Sequence, residues 1–440
     1  MVEPRIVPRE EHAISRRDID PDALKVLYRL RQHEYAAYLV GGSVRDLLLG
    51  RRPKDFDIGT SAHPYQVKKL FRNCWIIGRR FRLAHVKFGQ KVIEVATFRR
   101  QVAAGEEIVQ DGVPAPDPTT PEGEHLIHHD NTFGTPEEDA FRRDFTINAL
   151  AYDIATFAII DYVGGLDDLH AAVVRSIGDP DVRLREDPVR MIRAIALAAR
   201  LDFTIEPTLL HAIRTHRQEI AKSSLPRLLE EYYKILRAGS SEKAFRGLAE
   251  VGLLQPISKE LHHGAAEPLW QSLSALDGYR RQFESTPDTL SNAILLGTLL
   301  VPLGISLTPP RGHHAAAADA TQSERRPKRA PGPRLGELPL ARRDIERLRQ
   351  IVGLQRRMRD VTASPKAQRA LAHRAIFREA LTWLEIHGDT PELVEHWKAI
   401  LSEGAAATEA PADTGEAHPV IFERRKRRRR RRRRHLPTQG

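Results

Sequence analysis

The sequence predicts an α+β protein in which an N-terminal domain with a mixed β-sheet precedes helical domains and a disordered basic tail. Three observations carry this prediction. Short apolar segments with strand spacing alternate with short helical segments in the first part of the chain. Nearly every segment after Pro188 has helical spacing. An unbroken basic run, Arg424 to Arg434, closes the chain and is too charged to fold alone.

Composition restricts the class of protein. The 440 residues exceed what one hydrophobic core usually supports. Their excess of 69 Lys and Arg over 58 Asp and Glu indicates a polyanionic partner, nucleic acid ahead of anionic membrane. The single cysteine, Cys74, cannot form an intramolecular disulfide, and no apolar run reaches the ~18 residues of a membrane span. We therefore expect a cytoplasmic protein with no membrane contact.

Changes in composition predict four regions. Late in the helical part of the chain, an insertion near 308–333 that is rich in Ala, Pro and Arg resembles a disordered linker. A long segment without periodicity at 100–136 predicts a loop on the sheet of the first region. The regions are a sheet-containing domain at 1–165, helical domains at 166–265 and 266–400, and an Arg-rich tail at 401–440.

The first elements form a strand, a tight turn and a helix. Pro21 to His33 reads as a helix capped by Asp20. A strand from Ala36 to Val40 follows and leads into Gly41-Gly42. Ser43 is expected to cap the next short helix, which Gly50 ends. Further strands are predicted at Asp55–Ile58, Trp75–Ile77, Ala84–Phe88 and Val92–Phe98, and later helices at Met191–Leu201 and Leu225–Ala238.

The strongest chemical signal is a pair of carboxylates, Asp55 and Asp57. Residues at i and i+2 of a strand project from the same face, so the two side chains aim at one point. Hard oxygen ligands of this kind suit Mg²⁺, with Mn²⁺ as a substitute, and two such ions catalyse phosphoryl transfer. The alternative is two acids on the solvated face of an edge strand.

A phosphate site is predicted about a dozen residues upstream. Gly41 and Gly42 open a helix whose first amides, with Ser43, are placed to hold phosphate, and Arg45 lies within the first turn. A plain tight turn is the alternative for two glycines. The combination of this turn with two acids on the next strand favours a nucleotide site.

Two charged clusters extend the predicted site. In the first, Arg142 and Arg143 are suited to neutralise a triphosphate, and Asp144 to join the metal site or bind a ribose. In the second, Asp187 is expected to cap a helix and to pair with Arg190, so that both read the edge of a base. A capped helix start and an ordinary ion pair are the alternatives.

The basic tail is expected to bind RNA phosphates without sequence preference and with strong salt dependence. Its first members are Arg424, Arg425, Lys426, Arg427 and Arg428. A histidine cluster in the long loop lacks the second half of a zinc motif and is interpreted as loop sequence. Its members are His125, His128, His129 and Asp130.

Four motifs in this order resemble the class II nucleotidyltransferase family, which contains bacterial poly(A) polymerases and CCA-adding tRNA nucleotidyltransferases. The motifs are Leu39 to Asp46, Asp55-Phe56-Asp57, Arg142 to Ala149 and Glu186 to Arg190. The match extends over roughly residues 20 to 260. The resemblance implies a catalytic head domain followed by helical neck, body and tail regions that hold RNA.

The resemblance also implies roles for individual residues. Asp55 and Asp57 would bind the catalytic metals, Asp144 would be a third essential carboxylate, and Glu94 is a further candidate ligand. Gly41, Gly42, Arg45, Arg142 and Arg143 would hold the triphosphate of ATP, and Asp187 with Arg190 would face the base.

Within the family, the segment Gly78 to Val86 and the Arg-rich C-terminus resemble the poly(A) polymerase branch. The resemblance therefore implies addition of AMP from ATP to RNA 3′ ends, as in polyadenylation and mRNA turnover. CCA addition to tRNA is the alternative within the family, because both branches share the catalytic motifs. A non-catalytic RNA-binding adaptor is the alternative from another class, and it would require lost carboxylates.

Overall fold

The computed structural model describes residues 3–78, 82–100, 132–307 and 332–409, with side chains up to residue 403. Within these ranges one eight-stranded sheet with its helices comes first in the chain, and helices form almost all of the rest. The predicted α+β class is confirmed. Among the residues described, no helix combines the length and hydropathy that crossing a membrane requires.

The sheet is mixed, because β3 and β6 run parallel whereas the other neighbouring strands are antiparallel. In space the order is β1-β8-β7-β2-β3-β6-β5-β4. The strands are β1 (Arg5–Val7), β2 (Ala37–Val40), β3 (Asp57–Thr60), β4 (Cys74–Ile77), β5 (Leu83–Phe88), β6 (Lys91–Thr97), β7 (Ala151–Asp153) and β8 (Ile159–Asp161). A short parallel pair, β9 (Val173–Val174) and β10 (Thr204–Ile205), lies after the sheet in the chain.

The start of β3, near the predicted phosphate turn, differs from the sequence prediction. The strand expected from Asp55 begins at Asp57, which pairs with Val40, the last residue of β2. Because Gly41 turns away with φ +74°, β2 has no further residue to pair with Asp55. Asp55 therefore lies just before β3 rather than on it.

The helices cover the sheet and then build the rest of the molecule. In the head domain α1 packs on β2 and β3, and α3 packs on β4, β5 and β6. The helices are α1 (Pro21–Gln32), α2 (Gly42–Leu48), α3 (Pro64–Leu70), α4 (Pro136–Phe141), α5 (Gly165–His170), α6 (Pro180–Glu186), α7 (Val189–Leu201), α8 (Pro207–His216), α9 (Leu225–Arg237), α10 (Ser241–Glu250), α11 (Leu254–Ile257), α12 (Lys259–His263), α13 (Glu267–Arg280), α14 (Asn292–Leu300), α15 (Arg342–Met358), α16 (Pro365–Ala372), α17 (Phe377–His387) and α18 (Pro391–Glu409).

Helices α7 and α9 are amphipathic, and their apolar faces determine which side chains reach the site. In α7, Ile192 and Ile195 are buried, as are Leu228 and Tyr232 in α9. Burial of an aliphatic side chain of this size contributes about 2 kcal/mol, so these faces hold the helices in position. The opposite face of each helix carries its charged residues. Both helices lie within two residues of their predicted bounds, whereas the predicted domain boundaries remain predictions.

Candidate nucleotide-binding site

A cavity of about 670 Å³ lies between the ends of β2 and β3 and the polar faces of α7 and α9. Twice as many cationic side chains as carboxylates line this cavity. The cations are Arg45, Arg142, Arg143, Arg190, Arg193, Arg200, Arg227 and Lys234, and the acids are Asp57, Asp144, Asp187 and Glu231. A wall of this composition is suited to a polyphosphate.

The glycine turn allows two guanidinium groups to approach the backbone. Gly41 has φ +74°, and a Cβ added there would lie 3.0 Å from an Nη atom of Arg143. A Cβ on Gly42 would lie 3.2 Å from an Nη atom of Arg45. Glycine is therefore favoured at Gly41 by its conformation, and a Cβ at either position would press on a guanidinium group.

Arg45 is buried, with 3% of its surface exposed, and its guanidinium pairs with Asp46 at 2.7 Å. It also donates a hydrogen bond to the side chain of Asn148. Burial lowers the pKa of Arg45 below its usual value, although Asp46 acts against this shift. The predicted phosphate ligand is thus held rigidly at the floor of the cavity.

Ser43 does not cap the helix, contrary to the sequence prediction. Gly41 occupies the N-cap position of α2, and the hydroxyl of Ser43 donates to the carbonyl of Val40 at 3.0 Å. The side chain is buried and is absent from the cavity wall. Any contact of Ser43 with a phosphate would have to come from its backbone amide, and its predicted role stays a prediction.

Asp57 is exposed to the cavity at the start of β3, and two other carboxylates act on it. The pairing of Ile58 with Val95 places Asp57 and Glu94 side by side on neighbouring strands. The surrounding protein desolvates Asp57, and the charges of Glu94 and Asp55 repel it, which together raise the pKa of Asp57 to about 6. Among the residues described, no three His, Cys, Asp or Glu side chains form a metal-ligating group.

The Arg142–Asn148 segment turns sharply at the cavity edge. Arg143 donates to Asp139 at 2.9 Å and to the carbonyl of Asn148 at 3.2 Å, which holds its guanidinium beside Gly41. The carboxylate of Asp144 accepts from the amide of Phe145 at 2.9 Å and the side chain of Asn148 at 3.2 Å. Asp144 is thus oriented by its own segment.

Arg183, which was not singled out from the sequence, holds the Arg142–Asn148 segment in place. Its Nη2 atom donates to the carbonyls of Arg142 and Arg143, each at 2.8 Å. Its Nη1 atom pairs with Glu186 at 2.9 Å. An arginine four residues before Asp187 gave no local signal of this contact, because its partners lie about 40 residues earlier in the chain.

Asp187 and Arg190 both line the cavity, but they do not pair with each other as the sequence predicted. Asp187 pairs with Arg227 of α9 at 2.8 Å. Arg190 donates to the carbonyl of Arg183 at 2.9 Å and pairs with Glu186 at 3.4 Å. The separation has a backbone cause: Asp187 is the C-cap of α6 rather than the predicted cap of the next helix, where Pro188 takes the N-cap position. Arg190 lies inside that next helix, α7.

Four other cationic residues of the cavity were not identified from the sequence: Arg193, Arg200, Arg227 and Lys234. On α7 the residues that line the cavity are spaced at three and four, and so are those on α9. Basic residues at this spacing on one face of a helix were the available signal. The signal was weak because a solvated helix face shows the same pattern.

Several predicted features lie outside the described residues. These are the tail residues Arg424, Arg425, Lys426, Arg427 and Arg428, and the histidine cluster of the long loop. The 100–136 loop and the 308–333 insertion also lie mostly outside them.

An α+β head with a glycine turn, a strand-borne carboxylate and a cationic cavity defines a nucleotide-binding domain of the nucleotidyltransferase class. Three family models match the chain. The poly A polymerase head domain matches residues 37–175, the probable RNA and SrmB-binding site of polymerase A matches 202–264, and the polymerase A arginine-rich C-terminus matches 332–434.

Individual relatives agree with these models. Poly(A) polymerase I of Salmonella typhi is 51% identical over 253 residues, which are 57% of this chain and 53% of that protein. The enzyme of Escherichia coli O157:H7 is 50% identical over the same length. A CCA-adding enzyme of Lactobacillus johnsonii is 37% identical over 235 residues, covering 53% of this chain and 54% of that protein. The matched part spans about half the length of these curated relatives.

Solved structures share the fold. A Bacillus stearothermophilus CCA-adding enzyme in complex with CTP aligns with a TM-score of 0.53 and 24% identity, over 88% of this chain and 83% of that one. A tRNA nucleotidyltransferase with primer tRNA and an incoming ATP analog aligns with a TM-score of 0.51 and 22% identity, over 87% and 99%. Over the residues that the three models match, the chain is similar to polymerase A, and its identity to the poly(A) polymerases, 50 to 51%, is higher than its 37% identity to the CCA-adding enzyme.

Proposed function

We propose that the chain is a template-independent poly(A) polymerase, which adds AMP from ATP to RNA 3′ ends and releases pyrophosphate. One observation carries the proposal: the cationic wall of the cavity faces Asp57 across the Gly41-Gly42 turn. The 50 to 51% identity to poly(A) polymerase I enzymes supports this branch. The single cysteine and the substrates, ATP and RNA, support the cytoplasm as the place of action.

In this proposal the cations hold and orient the triphosphate. Arg45 and Arg143 would bind its oxygens at the glycine turn, with Arg142 beside them, and Arg193 or Arg200 would contact the side facing α7. Charge-assisted hydrogen bonds of this kind are strong in a partly dehydrated cavity, and they become stronger as pyrophosphate gains charge on leaving.

The carboxylates at β3 fit a divalent cation. Asp57 is crowded by Glu94 and Asp55, whose repulsion a bound cation would relieve, and all three supply the hard oxygen ligands that Mg²⁺ prefers. Asp55 and Asp57, with Glu94 as a further ligand, would hold two ions together with substrate phosphates. When bound, such ions make the RNA 3′-hydroxyl a better nucleophile and stabilise the leaving oxygen.

Choice of the base is proposed to depend on Asp187, Arg190 and Arg227 at the far side of the cavity. Their donors and acceptors are fixed by the protein, so no template strand is needed. The 37% identity to a CCA-adding enzyme makes C-then-A addition to tRNA the second candidate function.

The test uses the purified full chain with Mg²⁺, a labelled oligo(A) RNA, and each nucleoside triphosphate in turn. We expect a long ladder with ATP alone. Asp55→Ala and Asp57→Asn should each reduce extension to background while leaving RNA affinity nearly unchanged. The matched control is Asp167→Asn, which removes an exposed carboxylate of the head domain outside the cavity.

Other outcomes decide between the alternatives. Addition of C and then A to a tRNA lacking its end, stopping after three nucleotides, would establish the CCA-adding function instead. RNA binding without incorporation of any nucleotide would indicate the non-catalytic adaptor. Full activity of Asp57→Asn would refute the site itself.

A further inference from the structure

A second cavity, of about 750 Å³, lies on the head domain between α1, the end of α3 and the end of β5. It has no lining residue in common with the catalytic cavity, and we name it the α1–β5 groove. Among the residues described, four cations and no carboxylate line this groove. The cations are Lys25, Arg29, Arg72 and Lys87.

Neighbouring residues hold two of these cations in place. Arg29 donates from Nε to the carbonyl of Leu70 at 2.8 Å. Lys25 pairs with Asp22 at 2.8 Å and lies 5.7 Å from the ring centroid of Phe88. Their stems cover apolar surface while their charges point outward.

The other two cations, Arg72 and Lys87, are exposed. The described part of the chain provides neither of their side chains with an ion pair or hydrogen bond. Asp22 partly neutralises Lys25, but the positive charges of Arg29, Arg72 and Lys87 remain around one groove, and a polyanion would relieve their mutual repulsion. The charge of the groove thus selects an anionic ligand.

Aromatic side chains narrow the choice of anion. Tyr28 is 39% exposed, with its hydroxyl fixed by Arg16 at 3.0 Å, and Phe88 lies half-buried beside it. Cations that follow a phosphate backbone, next to rings on which bases stack, are the features that bind single-stranded nucleic acid.

The groove and the carboxylate of Asp57 lie on opposite faces of the sheet. Val86 and Phe88 of β5 alternate with His85, which pairs with Glu94 beside Asp57. Because only β6 separates β5 from β3, about 10 Å of sheet, a long RNA that passes around the edge of the sheet can reach both places, whereas a short RNA cannot. We propose that the α1–β5 groove binds single-stranded RNA upstream of the 3′ end, an inference that rests on the proposed function.

The test measures binding rather than catalysis, so that its failure differs from failure of the proposed function. The full chain and the double variant Arg72→Glu/Lys87→Glu are titrated with a fluorescent oligo(A) of about 20 nucleotides and one of about 5. The matched control is Arg9→Glu/Arg17→Glu, which makes the same charge change at exposed positions of the head domain outside both cavities.

We expect the groove variant to bind the long RNA about tenfold more weakly and the short RNA and ATP unchanged. Its plot of log affinity against log salt should be less steep by about 1.4, the value for two lost phosphate contacts on a single strand. Unmodified protein should also crosslink through Tyr28 or Phe88 to long RNA containing 4-thiouridine.

Three results would overturn the proposal. One is an equal loss of long-RNA affinity in the Arg9→Glu/Arg17→Glu control, which would assign the effect to net charge. Another is loss of ATP or pyrophosphate binding instead of RNA binding, which would indicate a small-anion site. The third is unchanged affinity for long RNA, and the milder variant Arg72→Ala/Lys87→Ala provides this measurement if the charge reversal does not fold.

Discussion

The carboxylate of Asp144 lies 2.7 Å from the guanidinium of Arg193, which ties the head segment to α7. Asp144 is buried, with 8% of its surface exposed. Burial opposes ionisation, but Arg193, Asn148 and the amide of Phe145 outweigh it, so the pKa of Asp144 lies below its usual value. Asp144 is therefore charged and already bonded by the protein, which makes it suited to position the site.

Arg193→Ala should destabilise the protein by about 2 to 4 kcal/mol at pH 7, because it leaves a buried carboxylate without its partner. The Asp144–Arg193 ion pair contributes its full stability above the pKa of an unfolded aspartate, about 3.9. This stability is lost as the pH falls through the lower pKa of Asp144 in the folded protein. The deficit should therefore shrink below about pH 4. Urea unfolding at both pH values measures it, with Arg200→Ala, whose ion pair with Asp46 is 3.5 Å long, as the control. An equal loss of stability in Arg193→Ala at pH 7 and below pH 4 would contradict the assignment of the effect to ionised Asp144.

Gly41→Ala should lose stability and raise the KM for ATP. The alanine costs about 1 to 3 kcal/mol because the backbone of Gly41, with φ +74° and ψ −136°, has a conformation that essentially only glycine adopts. Its Cβ also displaces Arg143. Gly50→Ala is the matched control, since Gly50 has φ +65° and open space around it. Thermal melts should show a loss for both variants that is at least as large for Gly41→Ala, whereas steady-state kinetics should change only for Gly41→Ala. A KM change in both variants would assign the effect to strain.

Arg227→Ala should weaken discrimination between ATP and CTP. Arg227 holds Asp187 at 2.8 Å, and without it the carboxylate is free to move at the proposed base site. Relative kcat/KM for AMP and CMP incorporation measures the change, and we expect a loss of selectivity of about tenfold, equivalent to one hydrogen bond. Lys234→Ala removes a cation from the same face of α9 and should leave selectivity intact. Unchanged selectivity in Arg227→Ala would show that holding Asp187 in place does not determine the choice of base.

His387 should make the helical region sensitive to acid. It stacks on Trp383 at 4.2 Å between ring centroids, and its Nε2 atom lies 3.3 Å from the hydroxyl of Thr298. Burial lowers the pKa of His387 to about 4. The unfolded chain gains this proton near pH 6.5 and the folded chain only near 4, so stability should fall by up to about 3 kcal/mol between these values.

Unfolding titrations of His387→Gln should be flatter across this window than those of the unmodified protein. Glutamine retains a hydrogen-bonding group next to Thr298 but cannot titrate. His262→Gln, at an exposed position, provides the comparison. A pH dependence that survives in His387→Gln would place the acid-sensitive group elsewhere.

The sequence by itself determined the fold class, the glycine turn and the nearby charged motifs. Strand alternation, glycine before a helix and arginines beside Asp144 are local patterns, and local backbone preferences act over a few residues. For the same reason it misplaced the start of β3, which depends on where β2 ends.

Only the tertiary structure decided which charges meet. Asp144 pairs with Arg193, Asp187 pairs with Arg227 rather than Arg190, and Arg72 lies near Lys25. These partners lie about 40 or more residues apart in the chain. A charged side chain on a helix has the same sequence pattern whether it faces water or a cavity, because its partner is supplied by the packing of apolar faces elsewhere in the fold.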